Sequence, residues 1–164
     1  MCLTDFEVVK RLIVALLLGG AIGLERQMLK RNAGFRTNIL VCLGSCLIML
    51  ISLYVYEVYK DQVMIDPSRI AAGVITGIGF LGAGAIMRAK EGIKGLTTAA
   101  CLWVVSGIGL AVGCGFYIAS YFCTVLTLVV LFFLRHFEKK LFPDSYDSES
   151  DLDNNGNECN GKEK

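Results

Sequence analysis

The sequence predicts an all-α membrane protein, a bundle of about five transmembrane helices. Three observations carry this expectation. The chain of 164 residues is 54% hydrophobic and only 19% charged, whereas a soluble domain is usually about 45–50% apolar and about 25% charged. The apolar excess is gathered into five long runs. Twelve of the 18 glycines lie inside those runs, where small residues permit close helix packing in lipid.

The runs lie at about residues 8–25, 39–56, 70–88, 97–113 and 116–134. A helix rises about 1.5 Å per residue, so a hydrocarbon core about 30 Å thick takes about 20 residues. The first run is free of charge only over Leu12–Leu24. Either Lys10 and Arg11 snorkel to one surface, or Glu25 and Arg26 are drawn into the other. Its leading segment mixes Asp5 and Glu7 with the basic residues and four more spans follow, so it reads as a retained helix rather than a cleaved leader. The second run opens on Arg36, Thr37 and Asn38. The third opens on Asp66-Pro67-Ser68-Arg69, where Asp at the N-cap and Pro at the first helical position make a good helix start. The fourth begins with Thr97 and Thr98, whose hydroxyls can bond across helices. Trp103 follows about six residues in, so its indole N–H is expected to meet a buried acceptor. Gly113-Cys114-Gly115 then forms a very short turn into the fifth run.

The loops set an orientation. Residues 26–38 carry Arg26, Lys30, Arg31 and Arg36; residues 88–96 carry Arg88, Lys90 and Lys94; Arg135, Lys139 and Lys140 follow the last run. With five spans these segments share one side, and the positive-inside rule makes that side cytoplasmic, with the N-terminus outside the plasma membrane. The chain divides near residue 140. Residues 1–140 hold 14 Lys/Arg against 8 Asp/Glu, and residues 141–164 hold 2 against 7. The acidic, Asn/Ser/Gly-rich segment 141–164 lacks the apolar surface to offset chain entropy and is expected to be a disordered cytoplasmic tail.

Several chemistries are excluded. The seven cysteines are odd in number, sit mostly within apolar runs and form no CxxC pair, so they read neither as a disulfide framework nor as a zinc site. Cys42 and Cys46 are expected to be small packing residues. Gly77-Ile-Gly79-Phe-Leu-Gly82 matches GxGxxG, but a dinucleotide site needs that motif between a strand and a helix. His136 lies among Arg135, Glu138 and Lys139 as a solvated flank. No triad, metal ligand set, cofactor motif or nucleic-acid signature is present, and an enzyme is not expected.

Two patterns remain. Gly19/Gly23, Gly73/Gly77 and Gly109/Gly113 are GxxxG pairs, read first as tight helix packing. The third run also holds Gly79, Gly82 and Gly84, enough to break a helix as ion sites in transporters require. Charges kept at membrane edges usually pair or serve function, which singles out Glu25, Arg26, Arg36, Asp66 and Arg69. For Asp66, helix capping, with Arg69 able to pair one turn away, is the first reading, and a functional role is the other.

The segments GGAIGLERQ (19–27), GFRTNILVCLG (34–44), DPSRIAAGVITGIGFLGAGAIM (66–87) and GLTTAACLWVVSGIGLAVGCG (95–115) resemble, in order, the motifs of the MgtC/SapB family of bacterial membrane proteins. The resemblance covers about residues 8–140. It implies a plasma-membrane protein linked to magnesium limitation and, in pathogens, to survival inside host cells. It further implies regulation of other membrane proteins, including the proton-translocating ATP synthase. The matching positions are Glu25, Arg26, Arg36, Thr37, Asp66, Arg69, Gly77, Gly79, Gly82, Gly84, Thr97, Thr98 and Trp103. Two departures limit the transfer. Many relatives carry a soluble C-terminal domain, in whose place this chain has the acidic segment. Some have Asn at the position of Thr97 and Cys after the Trp, where Val104 stands here.

Two functions compete. A regulator that docks on other membrane proteins, or on a second copy of itself, fits glycine-rich helices and the lack of a catalytic set, with spans one, three and four as the partner-facing or self-facing core. A magnesium transporter or channel needs oxygen ligands facing a path. Only Glu25 and Asp66 offer carboxylates, with Arg26, Arg36 and Arg69 close by in sequence.

Overall fold

The structure is a computed structural model and describes residues 4–62, 64–89 and 92–134. The expected tail, 141–164, lies outside the described residues, as does His136. Five helices follow one another: α1 (Asp5–Met28), α2 (Phe35–Tyr59), α3 (Ser68–Ala85), α4 (Leu96–Cys114) and α5 (Tyr117–Val129). A two-stranded antiparallel hairpin, β1 (Met87–Ala89) and β2 (Gly92–Lys94), joins α3 to α4. The helical membrane fold is as the sequence predicts, while the hairpin is a departure. The third run ends at Ala85, not residue 88, and its last residues pair Met87 with Lys94 and Arg88 with Ile93.

By length and apolarity, α2, α3 and α4 each suffice to cross a membrane. α1 has 24 residues, about 36 Å of helix, with its charges near the two ends. The apolar stretch Tyr117–Phe133 is shorter.

Chain contacts divide the protein into Met1–Thr127 and Leu128–Lys164. In the first unit α2 is central, packed on both α1 and α4, while α3 lies against α4 and α2. The core comprises Ala15 and Ile22 of α1, Cys42, Cys46 and Leu50 of α2, and Val105, Ile108 and Val112 of α4. Cys42 and Cys46 are fully buried packing residues, as expected. In the second unit the described residues end in a π-helical turn, Val130–Leu134, where Phe132 and Phe133 meet edge to face.

The glycines divide into two sets. A Cβ on Gly19 would come within 2.7 Å of the Cys42 Cβ, and one on Gly23 within 2.9 Å of the Phe35 Cα. A Cβ on Gly113 would fall 2.7 Å from the Met49 Cβ, and one on Gly109 would run into the Cys42 carbonyl. These four let α1 and α4 approach α2. Gly73, Gly77, Gly79 and Gly84 of α3 face no atom within 4 Å, and Gly82 makes ordinary contact with Ala99 at 3.6 Å. The core assembled by glycine is therefore α1–α2–α4, so α3 takes no part in it. Nor do the α3 glycines break their helix, which is continuous over 18 residues.

Candidate functional site

The ends of the bundle hold its buried polar groups. α1 opens with Thr4 at its N-cap, accepting the Glu7 N–H at 3.4 Å, with acidic residues in the first turn facing the helix dipole. Glu7 in turn gathers Lys10 at 3.1 Å, Arg11 at 3.6 Å and the Tyr117 hydroxyl at 3.2 Å, tying α1 to the start of α5.

Arg11 is 5% exposed and donates to the Gly113 carbonyl at 2.7 Å. That carbonyl belongs to the last turn of α4, which closes with Gly115 in the left-handed conformation. The Gly115 N–H bonds to the Val112 carbonyl and the Phe116 N–H to the Ala111 carbonyl. This is a Schellman close, and it leaves the Gly113 oxygen for a side-chain donor. The guanidinium also meets the negative end of the helix dipole.

At the opposite end Arg26 is 4% exposed and donates to the buried Thr98 hydroxyl at 3.3 Å. The two rungs share one register. Arg11 to Arg26 and Gly113 to Thr98 each cover fifteen residues, so antiparallel α1 and α4 are joined at points about 22 Å apart. This resolves the short first span. Lys10 reaches out beside Glu7, but Arg11 turns inward onto α4 rather than snorkelling, and Arg26 turns inward at the other end.

The Arg26 end is a polar cluster. Asn38, fully buried, donates to the Ala33 and Gly34 carbonyls at 3.1 and 2.8 Å, and its oxygen lies 3.9 Å from the Cys101 thiol. Gln27 accepts the Phe35 N–H at 3.3 Å, closing the loop between α1 and α2. One Glu25 carboxylate oxygen is hidden from solvent and accepts no hydrogen bond among the described residues.

Of the residues singled out in the sequence, Glu25, Arg26 and Thr98 belong to this end. Thr97 and Arg36 are exposed nearby in the chain, and Thr37 lines a hollow between α2 and α3. Asp66 and Arg69 lie at the other end. Asp66 accepts the Ser68 N–H at 2.8 Å, the geometry of an N-cap with Pro67 in helical conformation as the first residue. Hydrogen bonds from Ser68, aided by the Arg69 charge and opposed by desolvation, hold its carboxyl below the usual range. Trp103 corrects an expectation. It is 54% exposed on α4 rather than enclosed against a buried acceptor. Gly77, Gly79 and Gly84 are open, and Gly82 is buried.

Sequence reasoning missed Arg11 and gave Asn38 no role beyond opening its span. The signal for Arg11 was present, since a second cation beside Lys10 has no need of the same face. The i to i+3 pair Thr4 and Glu7 was likewise a readable capping box. Among the described residues no group of three or more His, Cys, Asp or Glu could hold a metal ion. A guanidinium, a hydroxyl and an amide held at one end of the bundle can orient helices and bind a small polar group.

Comparison with known proteins places the chain. The model of the MgtC family matches residues 12–140. Over 142 residues the chain is 44% identical to a protein named putative magnesium transporter YhiD from Escherichia coli K12, covering 85% of this chain and 66% of that one. It is 37% identical over 144 residues to protein SapB of Bacillus subtilis, covering 85% and 62%. It is 40% identical over 136 residues to protein MgtC of Salmonella typhimurium LT2, covering 83% and 56%. The chain thus spans 56–66% of the length of these relatives. No solved structure matches. With its helical membrane fold and a family match running from the first helix past the last described residue, the chain belongs to the MgtC family.

Proposed function

We propose that this protein is a non-enzymatic regulator in magnesium homeostasis, acting in the bacterial plasma membrane through helix contacts with other membrane proteins. The observation that carries the reading is the surface of α3. This helix can cross a membrane yet buries only Ile78 and Gly82. Ala72, Thr76, Gly79 and Ala83, spaced by three or four residues, are all exposed. Such a face permits close backbone approach by another helix, the main route to association in lipid. The partner is another membrane protein, the ATP synthase being the one that family resemblance suggests, or a second copy in a homodimer. The basic loops meet at one end of the bundle, which supports a cytoplasmic assignment for that end and an N-terminus outside. Virulence in a pathogen would follow from adaptation to low magnesium.

Cross-linking followed by purification of the full chain from magnesium-starved cells tests this. Gly79→Leu fills the small face, and its Cβ enters open space. It should remove the cross-linked partner or dimer and leave the melting temperature unchanged. An identical cross-linked set would sink the reading.

Magnesium transport is the second reading. It is favoured by the name of the E. coli relative and by the sealed Glu25 oxygen. Arg26 beside that carboxylate opposes a dication path. Selective magnesium flux into liposomes, lost in Glu25→Gln, would replace the regulatory reading with this one.

A further inference from the structure

A second face of α3 has a different character. Between α2 and α3 lies a hollow of about 560 Å³, walled by Leu40, Val41, Ile48, Ile70 and Val74, with Gly73 and Gly77 on its floor. A further hollow of about 460 Å³ continues it toward Asn32, Gly84 and Met87. Thr37 and Leu81 line both, so the two form one trough. From Ile70 to Met87 it extends about 25 Å along the helix axis.

The trough is asymmetric. Its walls are apolar over most of the length. At the Met87 end it gains the Asn32 amide, and the Thr37 hydroxyl stands where the two hollows meet. Arg36, exposed, precedes Thr37 on α2. Lys94, half-buried, is the cross-strand partner of Met87, so the hairpin sets it beside a residue that lines this end. Arg88 adds an exposed charge. No acidic residue lines either hollow. At the far end Arg69 is offset by Asp66.

We propose that this trough binds one anionic phospholipid, with an acyl chain along the α2–α3 walls and its phosphate at the mouth formed by Thr37, Arg36 and Lys94. The charge complementarity is one-ended, as an amphiphile requires and a free anion does not. The hairpin is what makes the mouth. Gly95, left-handed and pressed against the Ala85 carbonyl, holds β2 at the end of α3, where a straight continuation of the helix would carry Lys94 away.

Native mass spectrometry of the full chain in detergent, offered phosphatidylglycerol or phosphatidylcholine, tests the assignment. The protein should retain one phosphatidylglycerol in preference to phosphatidylcholine. Arg36→Gln and Lys94→Gln should each lower that preference about fivefold without changing phosphatidylcholine retention. Arg36 is exposed and Lys94 half-buried, and neither belongs to the buried core, so these variants keep the fold. Gly77→Leu, reaching into the trough, should lower retention of both lipids, while Gly107→Leu, on open surface of α4, should not. Equal retention of the two lipids by the unaltered protein overturns the proposal. So does a preference that survives both charge substitutions, or a Gly77→Leu variant that changes oligomeric state and leaves lipid retention intact.

Discussion

Adding one methyl group should have opposite effects at two glycines that look alike in sequence. Gly19 and Gly77 both stand in GxxxG pairs within apolar helices. In Gly19→Ala the new Cβ lies 2.7 Å from the Cys42 Cβ and 2.9 Å from the Asn38 carbonyl oxygen. Real Cβ atoms do not come so close, and neither neighbour is the tip of a flexible chain, so α1 and α2 must separate. Overpacking of this kind costs about 1–3 kcal/mol, less the roughly 0.8–1.0 kcal/mol by which Ala exceeds Gly as a helix former. In Gly77→Ala the methyl meets nothing within 4 Å, so only the propensity gain remains, about 1 kcal/mol of stabilisation. Thermal unfolding in detergent, followed by far-UV circular dichroism, should place Gly19→Ala below the parent and Gly77→Ala above it. Combining Gly19→Ala with Cys42→Gly should recover part of the loss, because it removes one of the two clashing partners. Two melts shifted in the same direction, or no coupling between Gly19 and Cys42, would refute the assignment of Gly19 to the α1–α2 contact.

Three further outcomes follow from the polar groups. Thr98→Val keeps the shape but removes one acceptor of the buried Arg26 guanidinium, and should cost about 1–3 kcal/mol; Thr98→Ser should melt close to the parent. Trp103 is the single tryptophan and is 54% exposed on α4, so brominated acyl chains should quench the intrinsic fluorescence strongly, and an unquenched indole would mean it is enclosed by protein. The Asp66 carboxyl is held below its ordinary value by Ser68; its capping contribution is therefore fully present above about pH 4 and is lost as pH falls through the lowered value. Asp66→Asn, which still caps, should abolish this part of the acid dependence of the melting temperature.

The fold class could be read directly, because hydrophobic runs of spanning length admit few structures. Helix starts were equally legible where the signal is local, as at Asp66-Pro67. What could not be read was which partner each residue meets. The glycines of α1, α3 and α4 are alike in pattern, and only the three-dimensional arrangement shows that α2 occupies two of the three sets. The hairpin escaped because Ile86, Met87 and Ile93 are apolar and extend the run. It takes positive φ at Gly92 and Gly95 to turn the chain there. Trp103 was misplaced by an argument from depth alone, since residues at one depth can face either protein or lipid. Glu25, Arg26 and Thr98 were recognised as notable, but their convergence with Asn38 and Cys101 depends on contacts between residues up to 72 positions apart.

The bond from Arg11 to Gly113 also has a meaning in time. Its partners are separated by 102 residues. At a synthesis rate of about 5–20 residues per second, the acceptor emerges about 5–20 s after the donor. During that interval Arg11 has no α4 to enter and must keep its guanidinium in water at the membrane surface. The first helix is therefore inserted with its end unlocked. The first helix can already pack on the second through Gly19 and Gly23, but its Arg11 end is locked only when the fourth arrives.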